Sequence, residues 1–220
     1  MLFGRSTPPE QAAAVADDVP AAINDLALQA LTEQALAPTA AAPDRVDAPE
    51  SRPIFTELPP MTIDPSREYL ATITTPRGEI VAQLRPDLAP QTVNSFVFLA
   101  NEGFYDGLTW HRVIEGFMAQ GGDPLGTGTG GAGYNVPAEF TNEVAFDRPG
   151  ILAMARANDP NSASSQFFIT TAPAAHLTGQ YTVFGEVIAG QEIAEGIPLR
   201  DPMTATTPGE EIIAISIEER

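Results

Sequence analysis

Hydrophobic and polar residues alternate along residues 67–84, which read REYLATITTPRGEIVAQL. Alternation with a period of two residues is typical of a β-strand that buries one face. In the middle of the segment, TPRG brings together Pro and Gly, two residues that favour turns. The pattern therefore predicts two β-strands joined by a turn.

The next segment, APQTVNSFVFLANEG at residues 89–103, changes to a helical period. Its apolar residues recur at i, i+3, i+4 and i+7, which places them on one face of a helix. They are Val93, Phe96, Val97 and Ala100. Thr92 is a candidate N-cap and Gly103 is a candidate stop after the last turn. We therefore expect one short amphipathic helix.

Beyond residue 107 the apolar segments are short, and turn residues such as Gly and Pro lie between them. Six of these segments read LTWHRVI, FMAQGG, GILAMA, SQFFITT, YTVFGEVI and EEIIAISIEE. Many short strands separated by turn residues in this way are typical of a β-barrel or a β-sandwich. A second short helix is expected in AGQEIAEGIP, so the predicted fold class is mainly β with two short helices.

Residues 1–66 have a different composition, rich in Ala and Pro and acidic. The stretch LAPTAAAPDRVDAPESRP is typical of a semi-extended linker, because each Pro fixes φ and removes a hydrogen-bond donor. PAAINDLALQALTEQAL has the spacing of a short amphipathic helix, either solvated or docked on a partner. Its apolar stripe comprises Ile23, Leu26, Ala27, Ala30 and Leu31. We therefore divide the chain into an extension, residues 1–66, and a domain, residues 67–220.

The net charge of -18 excludes some classes of partner. Nucleic acid requires a basic footprint for its phosphates, and adhesion to anionic lipid requires a cationic patch. The chain has no apolar run long enough to span a membrane. We therefore expect neither a nucleic-acid partner nor a membrane span.

Two absent residue types narrow the chemistry. All 11 basic residues are Arg, which excludes Schiff-base catalysis and a P-loop lysine. The absence of Cys excludes disulfides, thiol nucleophiles and thiolate metal sites. The start, MLFGRSTPPEQ, has no apolar segment typical of a signal peptide. We expect a cytoplasmic protein, with a location outside the cytoplasm after loss of an earlier signal as the alternative.

A glycine-rich segment, PLGTGTGGAGYNVP, contains the spacing G-x-G-x-x-G twice, from Gly126 and from Gly128. A dinucleotide site needs this spacing between a strand and a helix. Here Pro124 precedes it, and a segment without helical period follows. We interpret it as a mobile surface loop whose glycines let a ligand backbone approach closely. A nucleotide-dependent oxidoreductase is the alternative that rests on this segment alone.

The two histidines, His111 and His176, do not form the pattern of a metal site or a catalytic triad. Neither has a partner at metal-ligand spacing, and the nucleophile elbow G-x-S-x-G is absent. His111 follows Trp110 in a predicted strand, where a structural role is expected.

Three longer blocks carry a resemblance to a known family: FLANEGFYDGLTWHRVIEGFMAQGGD, GILAMARANDPNSASSQFFIT and YTVFGEVIAGQEI. Over residues 67–220 they resemble the cyclophilin family of peptidyl-prolyl cis–trans isomerases. The resemblance implies an eight-stranded antiparallel β-barrel capped by two short helices, here with an Ala/Pro-rich N-terminal extension. It also implies a rotamase that binds proline-containing polypeptides and needs no cofactor and no metal. We expect a monomer.

The resemblance assigns roles to residues at matching positions in the block HRVIEGFMAQGGD. Arg112 corresponds to the catalytic arginine. Phe117 and Met118 correspond to residues that line the proline pocket, and Gln120 corresponds to one that orients the substrate.

Further positions in the second and third blocks match the family's substrate-binding residues. Gln166 and Phe168, in SQFF, correspond to a backbone-binding glutamine and to the pocket floor. Leu177 corresponds to the pocket wall. Other positions implied to line the substrate site are Gly128, Ala155 and Ala157.

Three substrate-site positions depart from the residues common in the family. His176, in HLTG, replaces a Trp that contributes to binding the drug cyclosporin, so reduced cyclosporin binding is expected. Tyr181, in YTVFG, replaces a His and keeps an aromatic wall. Arg156, in MARANDP, replaces an Asn and adds a cation at the cleft rim. Because the family Asn binds substrate largely through its backbone, we expect this change to be tolerated.

Two functions of different classes fit these residues. The first is an isomerase of Xaa-Pro bonds in unfolded or flexible segments, in which an arginine stabilises the twisted amide over an apolar pocket. The alternative is a non-catalytic module or chaperone that binds Pro-containing peptides. Arg112 and Gln120 favour the enzyme, whereas the altered rim residues leave the binding module open.

Overall fold

A computed structural model of the chain describes residues 52–220. The helix predicted within residues 20–36 lies outside this part. The strands are β1 (Tyr69–Thr75), β2 (Gly78–Leu84), β3 (Leu108–Thr109), β4 (Arg112–Ile114), β5 (Met118–Gly121), β6 (Ile151–Met154), β7 (Phe167–Thr170), β8 (Val183–Ala189), β9 (Glu211–Ile212) and β10 (Ala214–Glu219). The helices are α1 (Pro90–Asn101) and α2 (Gln191–Glu195). Between residues 52 and 220, neither helix has the length and apolar character needed to cross a bilayer.

One curled antiparallel sheet contains eight of these strands, in the order β10-β1-β2-β8-β6-β7-β5-β4, and β3 pairs separately with β9. The β1–β2 hairpin closes at Thr75 opposite Gly78, so the turn predicted at TPRG is confirmed. Register shifts where β8 meets β2 and β6 bend and twist the sheet. The predicted fold of eight antiparallel strands with two short helices is confirmed.

The main core lies between the sheet and α1. The apolar face predicted for this helix is buried. The ring of Phe96 packs edge-on against Phe167 of β7, with 5.5 Å between ring centroids, and lies 5.1 Å from Phe184 of β8. Edge-to-face contacts of this kind add to the free energy of apolar burial. The helix therefore packs on β7, the strand that also carries Phe168 of the candidate site.

The start of α1 differs from the sequence prediction. The helix begins at Pro90, with Ala89 at the N-cap position, so the prediction of Thr92 as N-cap is wrong. The carboxylate of Glu139 instead accepts hydrogen bonds from the backbone N–H groups of Gln91 and Thr92, at 3.0 and 2.9 Å. This side chain supplies the oxygen that a local cap would supply. Because Glu139 is distant from the helix in sequence, a local pattern does not identify it as the cap.

The segment LTWHRVI, predicted as one strand, forms two strands in different sheets, because β3 pairs with β9 and β4 pairs with β5. Between them lie Trp110 and His111, both fully buried. The backbone N–H of Trp110 donates to the carbonyl of Glu210, and the guanidinium of Arg200 donates to the carbonyl of His111. These hydrogen bonds to residues far away in the chain interrupt the predicted strand between β3 and β4.

His111 is a buried imidazole whose two ring nitrogens have no hydrogen-bond partner among residues 52–220. Burial lowers its pKa to about 4; the carboxylate of Asp123 opposes this shift, while Arg200 and Arg112 add to it. The imidazole is therefore neutral in the folded protein at neutral pH, which fits a structural role.

This histidine predicts a loss of stability in acid. Below the unfolded pKa of 6.5 and above the folded pKa of about 4, the unfolded chain binds a proton that the folded chain does not. The free energy of unfolding therefore falls as the pH falls through this window, by about 3 kcal/mol for this group. Urea unfolding at about pH 7 and about pH 5 should show a smaller decrease for His111→Gln than for wild type. Equal decreases for both proteins would contradict the assignment.

Residues 52–63, here called the N-terminal strap, pack on the domain although they precede the predicted boundary at residue 66. Arg52 donates from Nη1 to the carbonyl of Phe104 at 2.7 Å and from Nη2 to that of Asp106 at 2.6 Å. The backbone N–H of Phe55 donates to the carbonyl of Ala132 at 2.8 Å. The strap thus connects the end of α1 with the glycine-rich segment.

A buried asparagine of α1 binds the second half of the strap. Asn94 is 2% exposed, and its Oδ1 accepts from the backbone N–H groups of Thr62 and Ile63, at 2.8 and 3.3 Å. Its Nδ2 donates to the carbonyls of Pro59 and Pro60, at 3.3 and 3.0 Å. The strap therefore satisfies both ends of a buried amide.

Candidate active site

The register of three neighbouring strands aligns predicted site residues in one row across the sheet. Arg112 of β4 lies opposite Gln120 of β5, and Gln120 lies opposite Phe168 of β7. Residues paired in this way project from the same face of a sheet. Met118, two residues before Gln120, projects from that face as well. A cation, an amide and two apolar side chains are therefore brought together.

Four apolar residues that the resemblance assigns to the proline site lie together and are here called the apolar pocket: Phe117, Met118, Phe168 and Leu177. These residues belong to a hydrophobic cluster separate from the main core. Phe117 is 6% exposed, and the other three are fully buried. The ring of Phe146 stacks on that of Phe168 at 6.1 Å between centroids, which fixes the floor. Apolar and aromatic side chains of this kind suit contact with a small apolar ring.

A chain of hydrogen bonds runs away from Arg112 along the polar side of the site. Arg112 Nη1 donates to Gln120 Oε1 at 3.3 Å, and Gln120 Nε2 donates to Gln166 Oε1 at 2.8 Å. Gln166 Nε2 then donates to the carbonyls of Gly128 and Gly130, at 3.0 and 2.8 Å. Each amide is oriented by the next partner, so the direction of every donor is fixed.

The guanidinium of Arg112 is a cation in a site with little water, since the residue is only 4% exposed. Burial lowers its pKa to about 10, whereas Asp201 and Tyr181 raise it. It therefore stays protonated at neutral pH. A guanidinium has five N–H donors in a rigid fork, so its bond to Gln120 leaves donors that can reach a ligand.

The glycine-rich segment forms a loop around Asp123, a residue that the sequence reasoning did not single out. Asp123 is 1% exposed, and its carboxylate accepts from the N–H groups of Leu125 (2.8 Å), Thr127 (2.8 Å) and Gly128 (2.5 Å). The sequence signal that could have identified this residue is an Asp directly before a segment rich in turn residues. Residues 122–150 contain no helix, so the strand–loop–helix context of a dinucleotide site is absent there.

A groove with a volume of ≈ 180 Å³, lined by polar and apolar surface in similar amounts, lies between this loop and the segment after β6. Residues that line it include Gln120, Gly128, Ala155, Arg156, Ala157 and Gln166. Ser164, also missed in the sequence, lines the groove and donates from Oγ to the carbonyl of Tyr134 at 2.6 Å. The groove exposes backbone and amide groups, which suits an extended peptide.

The three positions that depart from the family pattern form the rim. The ring of His176 stacks on Phe117 at 6.0 Å between centroids. Burial lowers the pKa of His176, so the neutral ring extends the pocket wall at neutral pH. Tyr181 stands edge-on to Phe168 at 5.8 Å, and Arg156 Cζ lies 4.6 Å from the centroid of Tyr181. All the residues predicted for the site therefore lie in the pocket, the hydrogen-bond chain, the groove or the rim.

Comparison with known proteins gives one family. The model of the family described as "Cyclophilin type peptidyl-prolyl cis-trans isomerase/CLD" matches residues 70–217. Peptidyl-prolyl cis-trans isomerase B of Streptomyces anulatus is 46% identical over 149 residues, which cover 60% of this chain and 85% of that protein. Peptidyl-prolyl cis-trans isomerase B of Bacillus subtilis is 50% identical over 126 residues, 57% of this chain and 87% of that protein.

A solved structure has the same fold. It is a cyclophilin type peptidyl-prolyl cis-trans isomerase of Cryptosporidium parvum, crystallised in the presence of the dipeptide Ala-Pro. It aligns with a TM-score of 0.60 and 34% sequence identity, over 68% of this chain and 98% of that one. The family match covers well over half of the chain, and the site geometry agrees with it. The chain therefore belongs to the cyclophilin-type peptidyl-prolyl cis–trans isomerase family.

Proposed function

We propose that this chain accelerates cis–trans exchange of Xaa-Pro bonds in flexible protein segments, with Arg112 as the catalytic residue. The observation that carries the proposal is the alignment of the buried guanidinium beside Gln120 and the apolar pocket. A proline ring in the pocket would lie next to the cation. No bond is made or broken in such an exchange, so a site without a nucleophile is sufficient.

The chemistry follows from the electronic structure of the amide. A planar prolyl amide resists rotation because the nitrogen lone pair is delocalised into the carbonyl, and uncatalysed exchange takes tens to hundreds of seconds. In the twisted amide the nitrogen becomes a hydrogen-bond acceptor. A donor aimed at that nitrogen stabilises the transition state much more than the ground state. Lowering the barrier by about 7 kcal/mol accelerates exchange about 10⁵-fold.

The remaining residues would hold the substrate while the bond rotates. Phe117, Met118 and Leu177 enclose the ring and keep it still, so that the preceding carbonyl turns. Gln120 and Gln166 offer amide groups to the flanking backbone, and their own hydrogen bonds keep them oriented. Fixed orientation of this kind removes much of the entropy cost of reaching the twisted state.

The test is the exchange rate of an Ala-Pro peptide, measured by NMR exchange spectroscopy without a coupled protease. We expect substoichiometric protein to merge or broaden the cis and trans signals in proportion to its concentration. Binding of the peptide without faster exchange would instead support the non-catalytic module.

We also propose that the chain acts as a monomer and that it binds cyclosporin weakly. The imidazole of His176 offers a smaller apolar surface than the indole it replaces, and it covers Phe117. Replacing His176 by Trp should strengthen cyclosporin binding about tenfold, because added buried aromatic surface contributes on the order of 1–2 kcal/mol. Titration calorimetry measures this change, and unchanged affinity in the variant would contradict the assignment. The molar mass measured by light scattering tests whether the chain is a monomer.

A further inference from the structure

Arg156 is a cation whose hydrogen bonds all go to neutral groups. Its Nε and Nη2 donate to the carbonyl of Gln180, at 3.1 and 3.0 Å, and its Nη1 donates to that of Ala157 at 2.9 Å. The guanidinium also lies over the ring of Tyr181. Within residues 52–220, no carboxylate lies within ion-pair distance of it. Its side chain is fixed while its charge is not neutralised by an adjacent anion.

Five other arginines among residues 52–220 have a carboxylate partner, whereas Arg52 bonds to backbone carbonyls as Arg156 does. Those that form ion pairs with Asp or Glu are Arg67, Arg77, Arg85, Arg148 and Arg220. Arg112, in the candidate active site, bonds to the neutral amide of Gln120. Among residues 52–220, two arginines without an ion pair therefore lie at the cleft, and Asp201 is the acidic group that raises the pKa of Arg112. The pKa of Tyr181 reflects this: burial raises it, and Arg156 and Arg112 both lower it.

The position of Arg156 relative to the pocket sets what it can contact. Its Cζ is 4.6 Å from the centroid of Tyr181, which in turn is 5.8 Å from the centroid of Phe168. The guanidinium therefore lies no farther from the ring of Phe168 than about three residues of extended chain can span. Arg156 also lines the groove beside the glycine-rich loop and is half-buried. A side chain adjacent to a bound proline can therefore approach it.

We infer that Arg156 is a specificity-determining residue that makes the cleft select Xaa-Pro segments with an acidic side chain next to the proline. This inference rests on the proposed isomerase function. A guanidinium already held by carbonyl bonds loses little side-chain entropy when it meets a carboxylate, so most of the attraction is retained. A lysine at the same substrate position meets a like charge, which costs a similar amount.

The experiment compares peptides that differ only beside the proline. One set carries Glu, Gln or Lys before an otherwise constant Pro, and the second set carries them after it. The quantity measured is the ratio of kcat/KM for the Glu peptide to that for the Lys peptide, from NMR exchange. Wild type, Arg156→Gln, Arg156→Lys and Arg67→Gln are compared. Arg67 is an exposed partner of Glu219 near the β10 edge, so its variant has the same change in net charge away from the cleft.

At one of the two positions, the Glu/Lys ratio should be about fivefold larger for wild type than for Arg156→Gln. Arg156→Lys should restore most of it, and Arg67→Gln should leave it as in wild type. Raising the salt to about 1 M should reduce the wild-type ratio, because screening shortens the range of the charge. If Arg156 only supports the loop at Gln180, the Gln variant lowers kcat/KM for all peptides equally, and an unchanged ratio at both positions overturns the inference.

The outcomes also separate this inference from the function on which it rests. If the Gln-containing peptides show no catalysed exchange with wild type, the proposed function fails. If they are exchanged and the Glu/Lys ratio does not respond to Arg156, only the specificity role fails.

Discussion

Replacing Arg112 by Ala is expected to lower kcat/KM for prolyl exchange about 10²- to 10³-fold, the cost of removing one preorganised donor from a transition state. Arg112 as a residue is 4% exposed, so the bond from its guanidinium to the twisted amide nitrogen forms with little competition from water. In the planar ground state that nitrogen accepts no hydrogen bond. The loss should therefore fall mainly on kcat, with peptide affinity nearly unchanged.

Two variants make this result specific to Arg112. Arg112→Lys keeps the positive charge but has no planar fork, so it should recover only part of the activity. Arg67→Ala removes an exposed arginine near the far edge of the sheet and should keep wild-type activity. The melting temperature of each protein shows whether it is folded. An Arg112→Ala protein that is folded and as fast as wild type would exclude the proposed mechanism.

The pH profile follows from the same residue. Because the pKa of Arg112 is about 10, the donor remains protonated throughout the neutral range. The imidazoles of His111 and His176 serve as neither acid nor base in the proposed mechanism. We therefore expect nearly constant kcat/KM between about pH 6.5 and 8.5, measured by NMR exchange. A bell-shaped profile in this range would indicate an acid–base step.

Local sequence patterns predicted the parts of the fold that depend on local contacts. The hairpin around TPRG and the buried face of α1 each follow from the spacing of a few neighbouring residues. The position of Arg112 opposite Gln120 also depends on a short hairpin, but the sequence analysis did not predict this pairing. The roles of these side chains came from the resemblance, because an arginine near glutamines has no spacing that distinguishes it from an ordinary surface residue.

The features that the sequence did not predict depend on partners far away in the chain. Thr92 has the residue type of an N-cap, but Glu139 lies close enough to bind the first N–H groups of the helix. Ser164 lines the groove, and its hydroxyl donates to the carbonyl of Tyr134, thirty positions earlier. The strap contacts α1 through Asn94, more than thirty positions away. Such pairings depend on the folded topology, which a short segment of sequence does not reveal.

The strap gives the largest expected effect on stability. A protein of residues 64–220 should have a free energy of unfolding lower by about 4 kcal/mol than one of residues 52–220, a decrease in melting temperature of about 10 °C. Removing the strap leaves the buried amide of Asn94 without the partners described above, which alone costs roughly 1–3 kcal/mol. It also exposes the apolar surface covered by Ile63, which is 8% exposed, and by the ring of Phe55.

Phe55 provides the matched point variant for this truncation. Its ring lies edge-on to Phe98, with 5.0 Å between centroids, and near Phe104 and Tyr134. Phe55→Ala should lower the free energy of unfolding by roughly 2 kcal/mol, less than a fully buried Phe, because the residue is half-buried. Activity measured well below the melting temperature should be retained in Phe55→Ala, since the rings that Phe55 contacts belong to Phe98, Phe104 and Tyr134 and not to the apolar pocket. Equal melting temperatures for the two truncations, by calorimetry, would show that the strap contributes nothing to stability.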